Sequence, residues 1–290
     1  MAASHTGEDA HVRTLQGVLR RAAIGQSLLA CPSDGAPLDE LTAARLARDG
    51  EAPGPIRHMC SGFHVASLLL ARHAGWPLDG YWRPDHPAQL AARDAVARIF
   101  GVRPASLRTA IDACGLLTYG FPLVEVARAF ALLADPAGVA DSARRPLADS
   151  LIRIRDAMVG APQMVGGTRD ASDTLLMRAG AGRLVCKGGA EGLRGIGILP
   201  AAAGAGRNGE AGHDGGASGG LAITIEDGDL AGRANRSVSV EALAQLGLLD
   251  GEAVASVDAL RRQRIVDPRG EQIGETLPVF ELAPLSELIG

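Results

Sequence analysis

The sequence predicts an α+β protein, a cluster of helices followed by a segregated antiparallel sheet. Two observations carry this. Up to about residue 180, apolar residues recur at helical spacing between breaks rich in proline and glycine. After Gly182 the apolar runs become short and glycine-spaced, the pattern of strands. A mainly helical lobe over 1–180 and a sheet-forming lobe over 181–290 follow from that change of period.

Taken in order, residues 8–30 read as a helix, with Val12, Leu15 and Leu19 on one face. Cys31–Pro37 is a loop, Asp39–Arg48 a short helix and Glu51–Pro55 a break. Cys60–Ala74 is helical and stops at Gly75 and Pro77. Tyr81–Pro87 is a loop before a helix over Ala88–Phe100. Ile111–Phe121 reads as irregular. Pro122–Ala134, Arg145–Val159 and Ser172–Ala179 read as helices. Arg183–Lys187, Gly192–Leu199 and Gly220–Glu226 read as strands, the first two an antiparallel pair. The stretch 201–219 is almost all small residues and reads as a flexible excursion. Ser239–Leu249 is helical and Ser256–Arg262 extends that region. Gln263–Val266 and Leu277–Glu281 are candidate edge strands.

Composition removes several classes of function. A chain of 290 residues that is 47% hydrophobic can bury a substantial core. A net charge of −4 and 3% aromatic residues leave no basic, aromatic-studded stripe for nucleic acid. No apolar run approaches the ~18 residues of a membrane span. The first residues show no basic region followed by an apolar one, so no secretion signal is read and the cytoplasm is the default. The four cysteines, Cys31, Cys60, Cys114 and Cys186, form no C-x-x-C pair; they read as buried thiols or metal ligands before disulfides. Gly204–Gly209 matches G-x-G-x-x-G, but the glycine-rich residues after it will not hold the helix a dinucleotide site needs.

Lys187 is the single lysine among 29 basic residues. Arginine stays charged, whereas a lysine amine can be moved toward neutrality and exchange protons. Beside Gly188 and Gly189, after Leu184-Val185-Cys186, it reads either as a catalytic group or as a strand-end cation facing water.

Five fragments stand in a recognisable order. They are Ala3-Ser4-His5-Thr6-Gly7-Glu8; Cys60-Ser61-Gly62-Phe63-His64; Gly80-Tyr81 with Asp85-His86-Pro87-Ala88-Gln89; Ile111-Asp112-Ala113-Cys114-Gly115; and Lys187-Gly188-Gly189-Ala190-Glu191-Gly192. The order resembles the asparaginase II family, which is related in architecture to serine β-lactamases and penicillin-binding proteins. The family pattern runs A-S-H-S-G-E, C-S-G-K-H, G-Y with H-P-x-Q, I-D-G-C, and K-x-G-A-E-G. The resemblance spans nearly the whole chain.

The resemblance implies hydrolysis of the side-chain amide of L-asparagine to L-aspartate and ammonia, a step of asparagine catabolism. It implies no nucleic acid or membrane partner, and leaves a homodimer open. Lys187 matches the K-x-G element, where an ammonium can lower a serine pKa or shuttle a proton. Ser4 matches the family's second serine; read alone, it would be a helix N-cap with Glu8 nearby. Cys60 and Cys114 match positions where family members hold zinc with two thiolates and a lysine. Phe63 stands where that lysine is expected and offers a metal nothing, though His64 beside it could be recruited. No cofactor is required; zinc and a pair of buried apolar thiols both stand as readings. Asp112 could orient the substrate amino group or serve as a turn residue. His64 is expected near the substrate. Ser61 is a fallback nucleophile, and Glu191 braces a turn or pairs with an arginine.

The related enzymes carry an S-x-x-K nucleophile motif. With Leu184 three residues before the only lysine, it is absent here. The resemblance places it upstream of the Ser4 motif, so a fold lacking its N-terminal strands and nucleophile helix is expected, through a displaced start or a true deletion. An open sheet edge and lowered stability would follow. Two functions stand: an asparaginase-type amidohydrolase, and a non-catalytic amino-acid-binding or interaction remnant. A penicillin-recognising hydrolase is a third, disfavoured by the missing motif and by the K-G-G-A-E-G context.

Overall fold

The structure is a computed structural model and describes residues 4–137, 144–200, 218–229 and 232–283. It is a mixture of helices and small antiparallel sheets. The chain divides into two units, 1–125 with 139–174, and 126–138 with 175–290. Among the described residues no helix is long and apolar enough to cross a membrane.

In the first unit, helix α1 (Asp9–Arg21) buries His11, Leu15 and Leu19. It stops well short of residue 30. Ala23 takes φ +52, and the Ile24 N–H returns to the Leu19 carbonyl at 3.0 Å, closing the last turn. The chain turns there because Ile24, Leu29 and Cys31 join the same buried cluster as Leu15 and Leu19. Burying such side chains, worth about 1.5–3 kcal/mol each, outweighs one alanine in the left-handed region.

Helix α2 (Glu40–Asp49) is capped by Asp39, whose side chain accepts from the Thr42 N–H. Helix α3 (Ser61–Ala74) closes on Gly75, the stop read from sequence. Helix α4 (Pro87–Phe100) starts with proline at its first position and with the His86 ring accepting from the Ala88 N–H. The segment read as irregular is a hairpin. Strands β1 (Arg108–Ile111) and β2 (Leu117–Gly120) pair antiparallel, from Arg108 opposite Gly120 to Ile111 opposite Leu117. Its strands are short and β1 is exposed throughout, so no alternation of apolar and polar residues marked it. Helix α5 (Leu123–Ala134) follows, then α6 (Ala148–Gly160) and α7 (Ser172–Ala179).

In the second unit, strands β3 (Leu184–Gly188), β4 (Arg194–Ile198) and β5 (Gly219–Ile223) form one antiparallel sheet in that order. A Cβ at Gly195 would lie 2.0 Å from the Phe130 ring, and one at Gly220 would lie 1.9 Å from the Ala127 carbonyl. Glycine in these strands therefore lets the 126–134 part of α5 lie against the sheet. Helices α8 (Asn235–Gln245), α9 (Gly251–Ser256) and α10 (Asp258–Arg261) come next. Strand β6 (Gln263–Val266) pairs with β7 (Gln272–Thr276). Leu277–Glu281, expected as a strand, is not one: the turn at 267–271 returns the chain early, and β7 takes the partner's place. The described strands thus form three small sheets instead of the single sheet expected. Most of the 201–219 excursion and the G-x-G-x-x-G match lie outside the described residues.

Candidate functional site

The segment Ser4–Glu8 is stitched into the first unit from three sides. His5 N–H donates to the Met59 carbonyl at 3.1 Å, Thr6 N–H to Gly166 at 2.7 Å, and the Thr6 carbonyl accepts from Asp39 N–H at 3.0 Å. Gly7, at φ +76, sits so close to the Arg57 carbonyl (2.5 Å from an added Cβ) that no side chain fits. Glu8 accepts from the Thr168 N–H at 2.7 Å, the Thr168 hydroxyl at 2.6 Å and the Thr6 hydroxyl at 2.8 Å. Burial works to raise the Glu8 pKa, but these bonds together hold it below its ordinary value. Asp39 pairs with Arg169 at 2.6 Å, and that guanidinium is the main reason its carboxyl falls to about 2.

Ser4 does not cap a helix. Glu8 is the N-cap residue of α1, and Ser4 lies ahead of it, half-buried at φ +64. A non-glycine residue held there signals strain that its surroundings sustain. Its backbone donates to the Cys60 sulfur.

Cys60 is the N-cap residue of α3, where thiolate character is favoured. A hydrogen bond from Cys114 holds its pKa below the usual thiol range, against burial, which raises it. The same bond, helped by burial, pushes Cys114 up. Burial likewise pushes the Cys31 thiol up to about 12. Asp112 and Cys114 lie in the turn of the β1–β2 hairpin, where Asp112 N–H donates to Leu116 and Gly115 N–H to Asp112, both at 2.8 Å. The Cys114 sulfur also lies 3.2 Å from Asp112 Oδ2, so its single S–H is shared between Asp112 and Cys60. One ligand atom from each of Cys60, Asp112 and Cys114 lies within 4.8 Å of the others, a grouping that could hold a metal ion. Two buried sulfurs this close suit a soft divalent ion such as zinc. Phe63 is exposed and takes no part.

The hydrogen bonds around the two histidines fix their protons. Gly7 N–H donates to His5 Nδ1 at 3.1 Å, so His5 Nε2 carries the proton and donates to Ser61 Oγ at 2.9 Å. Ser61 in turn donates to the Ile56 carbonyl at 2.8 Å. His64 Nε2 faces the Cys114 carbonyl at 3.1 Å and therefore donates; its Nδ1 accepts from the Tyr81 hydroxyl at 2.6 Å. Tyr81, wholly buried, also accepts from the Ala30 N–H at 3.0 Å. His64 thus faces away from Ser61, and both of its nitrogens are engaged. His5 stacks on His11 at 4.6 Å; burial pushes the His11 pKa down.

Ser4, Cys60, Ser61, His64, Asp112 and Cys114 therefore converge in the first unit, joined by hydrogen bonds that run between them or through one neighbour. His5, which holds Ser61, and Tyr81, which holds His64, were given no role by sequence reasoning; both stand within the fragments that carried the family resemblance. Lys187 belongs to the second unit, near the end of β3, half-buried and opposite Gly195. Its ammonium donates to the Gly188 carbonyl. Glu191, at φ +55, sits in the turn after it. The model of one protein family, described as L-asparaginase II, matches residues 1–278 of the 290-residue chain. Comparison with curated proteins gave no match.

Proposed function

The chain belongs to the L-asparaginase II family, and from that membership we propose that its site handles L-asparagine, hydrolysing the side-chain amide. Water adds its oxygen to the amide carbon, the C–N bond breaks, and the nitrogen leaves as ammonia with L-aspartate as the other product. The observation that carries the reading is Lys187, the one lysine of the chain, in the K-x-G-A-E-G motif where β3 passes from buried to half-buried.

Lys187 takes a proton from the attacking water and returns one to the leaving nitrogen, since an amine partly removed from water can shuttle protons. Ser4, which matches the family's second serine, is held in the left-handed region at φ +64. Zinc, where bound, would be held by Cys60 and Cys114 and would supply Lewis-acid polarisation of a carbonyl oxygen. The proposed architecture is the one shared with serine β-lactamases and penicillin-binding proteins. Helices grouped in the first unit and an antiparallel sheet with a K-x-G strand in the second support it.

A second reading, binding of the amino acid without turnover, draws on Ser61. Its hydroxyl proton is given to the Ile56 carbonyl and its oxygen accepts from His5, the reverse of an activated nucleophile. Ammonia release from L-asparagine separates the two. The wild-type chain is expected to release ammonia, and Lys187→Ala and Ser4→Ala to lose at least the ~100-fold that a positioned proton-transfer group contributes. A wild-type chain that releases none, yet melts at a higher temperature with L-asparagine or L-aspartate, would decide for binding alone.

A further inference from the structure

We propose that Asp112 is the third protein ligand of a zinc ion held by Cys60 and Cys114, occupying the role for which the sequence offers only Phe63. The three side chains come from two places that the fold brings together, the N-cap of α3 and the turn of the β1–β2 hairpin. Their ligand atoms lie within 4.8 Å of one another, and Asp112 Oδ2 already touches the Cys114 sulfur at 3.2 Å. Zinc with three protein ligands and one open position is the arrangement of sites that accept water or a substrate oxygen.

Of the neighbouring rings, His58 spends its Nδ1 on the Cys60 N–H. His64, the neighbour of Phe63, gives Nε2 to the Cys114 carbonyl and takes the Tyr81 hydroxyl on Nδ1. Phe63 is exposed and has no donor atom. Asp112, in contrast, makes its side-chain bond to Cys114 itself, with His58 the basic side chain that feels its charge, and its backbone is pinned by the bonds to Leu116 and Gly115. The two sulfurs are buried and Asp112 is half-buried, so the cluster has a protein side and a side from which an ion can enter. The bond from His64 to the Cys114 carbonyl steadies the turn that carries both hairpin ligands, as outer partners do in zinc sites. With its carboxylate on the metal, Asp112 is not the anchor for a substrate amino group that its motif suggests.

The test uses cobalt(II) as the probe, added to the metal-free, untagged chain, with zinc competition for affinity. The wild type is expected to bind one equivalent, with thiolate-to-cobalt absorption and the visible bands of a tetrahedral site. Asp112→Asn should weaken binding beyond the ~10–100-fold that loss of an outer partner costs, and should shift the visible bands. Phe63→Ala should change neither. Asp112→Cys keeps a small ligating side chain at this position and should raise the thiolate-to-cobalt absorption from that of two sulfurs to that of three. A wild-type chain that binds no stoichiometric cobalt overturns the proposal. So does an unshifted Asp112→Asn spectrum, or an Asp112→Cys protein with the absorption of two sulfurs. None of these readouts depends on which amide is hydrolysed, so a failed metal test leaves the asparagine reading standing.

Discussion

Ser61 shows how much the direction of a single hydrogen bond decides. Its neighbour in sequence is His64, yet its partner is His5, fifty-six residues away, and that ring donates to it instead of drawing its proton. Ser61→Ala would leave the buried His5 Nε2–H and the Ile56 carbonyl without this partner. The expected cost is about 1–3 kcal/mol, read from urea unfolding, with ammonia release retained. Loss of release at unchanged stability would return Ser61 to the role of nucleophile. Cys60, Asp112 and Cys114 were legible as candidates because each sits in a motif with a type-specific donor. Their mutual distances were not legible, because a contact between a helix start and a hairpin turn fifty residues on leaves no local periodic trace.

At the scale of elements, the strongly periodic segments were read well. Helices α3, α4, α5 and α7 fall close to their expected spans because apolar spacing, Pro and Gly mark them. The failures share a cause, which is that packing partners overrode local pattern. Helix α1 ends nine residues early because Ile24 and Leu29 are drawn into the core. The β1–β2 hairpin has a wholly exposed first strand and so no alternation to detect. The glycine-spaced segments of β4 and β5 were read as strands, and what sequence did not show is that their glycines allow close approach of α5. Gly220→Ala puts a methyl 1.9 Å from a backbone carbonyl that cannot step aside. Such overpacking costs about 1–3 kcal/mol or more. A thermal melt of this variant matching the wild type would remove the close-packing account of these strands.

For the molecule as a whole, the buried carboxylates Asp39 and Glu8 and the buried His11 predict lability to acid. Asp39 and Glu8 have folded pKa values below their ordinary ones, so their stabilisation is full above about pH 4 and is lost as the pH falls toward 2. His11 acts earlier: buried and facing Glu8 and Asp39, it still resists protonation in the folded chain, while the unfolded chain takes up a proton below about pH 6.5. The urea midpoint should therefore decline first below about pH 6.5 and more steeply below about pH 4. A midpoint that stays level from about pH 7 to about pH 5, in Gln-substituted and wild-type His11 proteins alike, would contradict the earlier step. By itself the sequence determined the family, the α+β class, the helices with clear periodicity and the identity of the chemically capable residues, because each rests on local spacing or residue type. Only the tertiary structure decided that His5 holds Ser61, that His64 is spent on Tyr81 and Cys114, and that Asp112 stands beside two sulfurs. Those facts depend on which distant segments share a core, and burial of apolar surface, the force that chooses them, carries no direction along the chain.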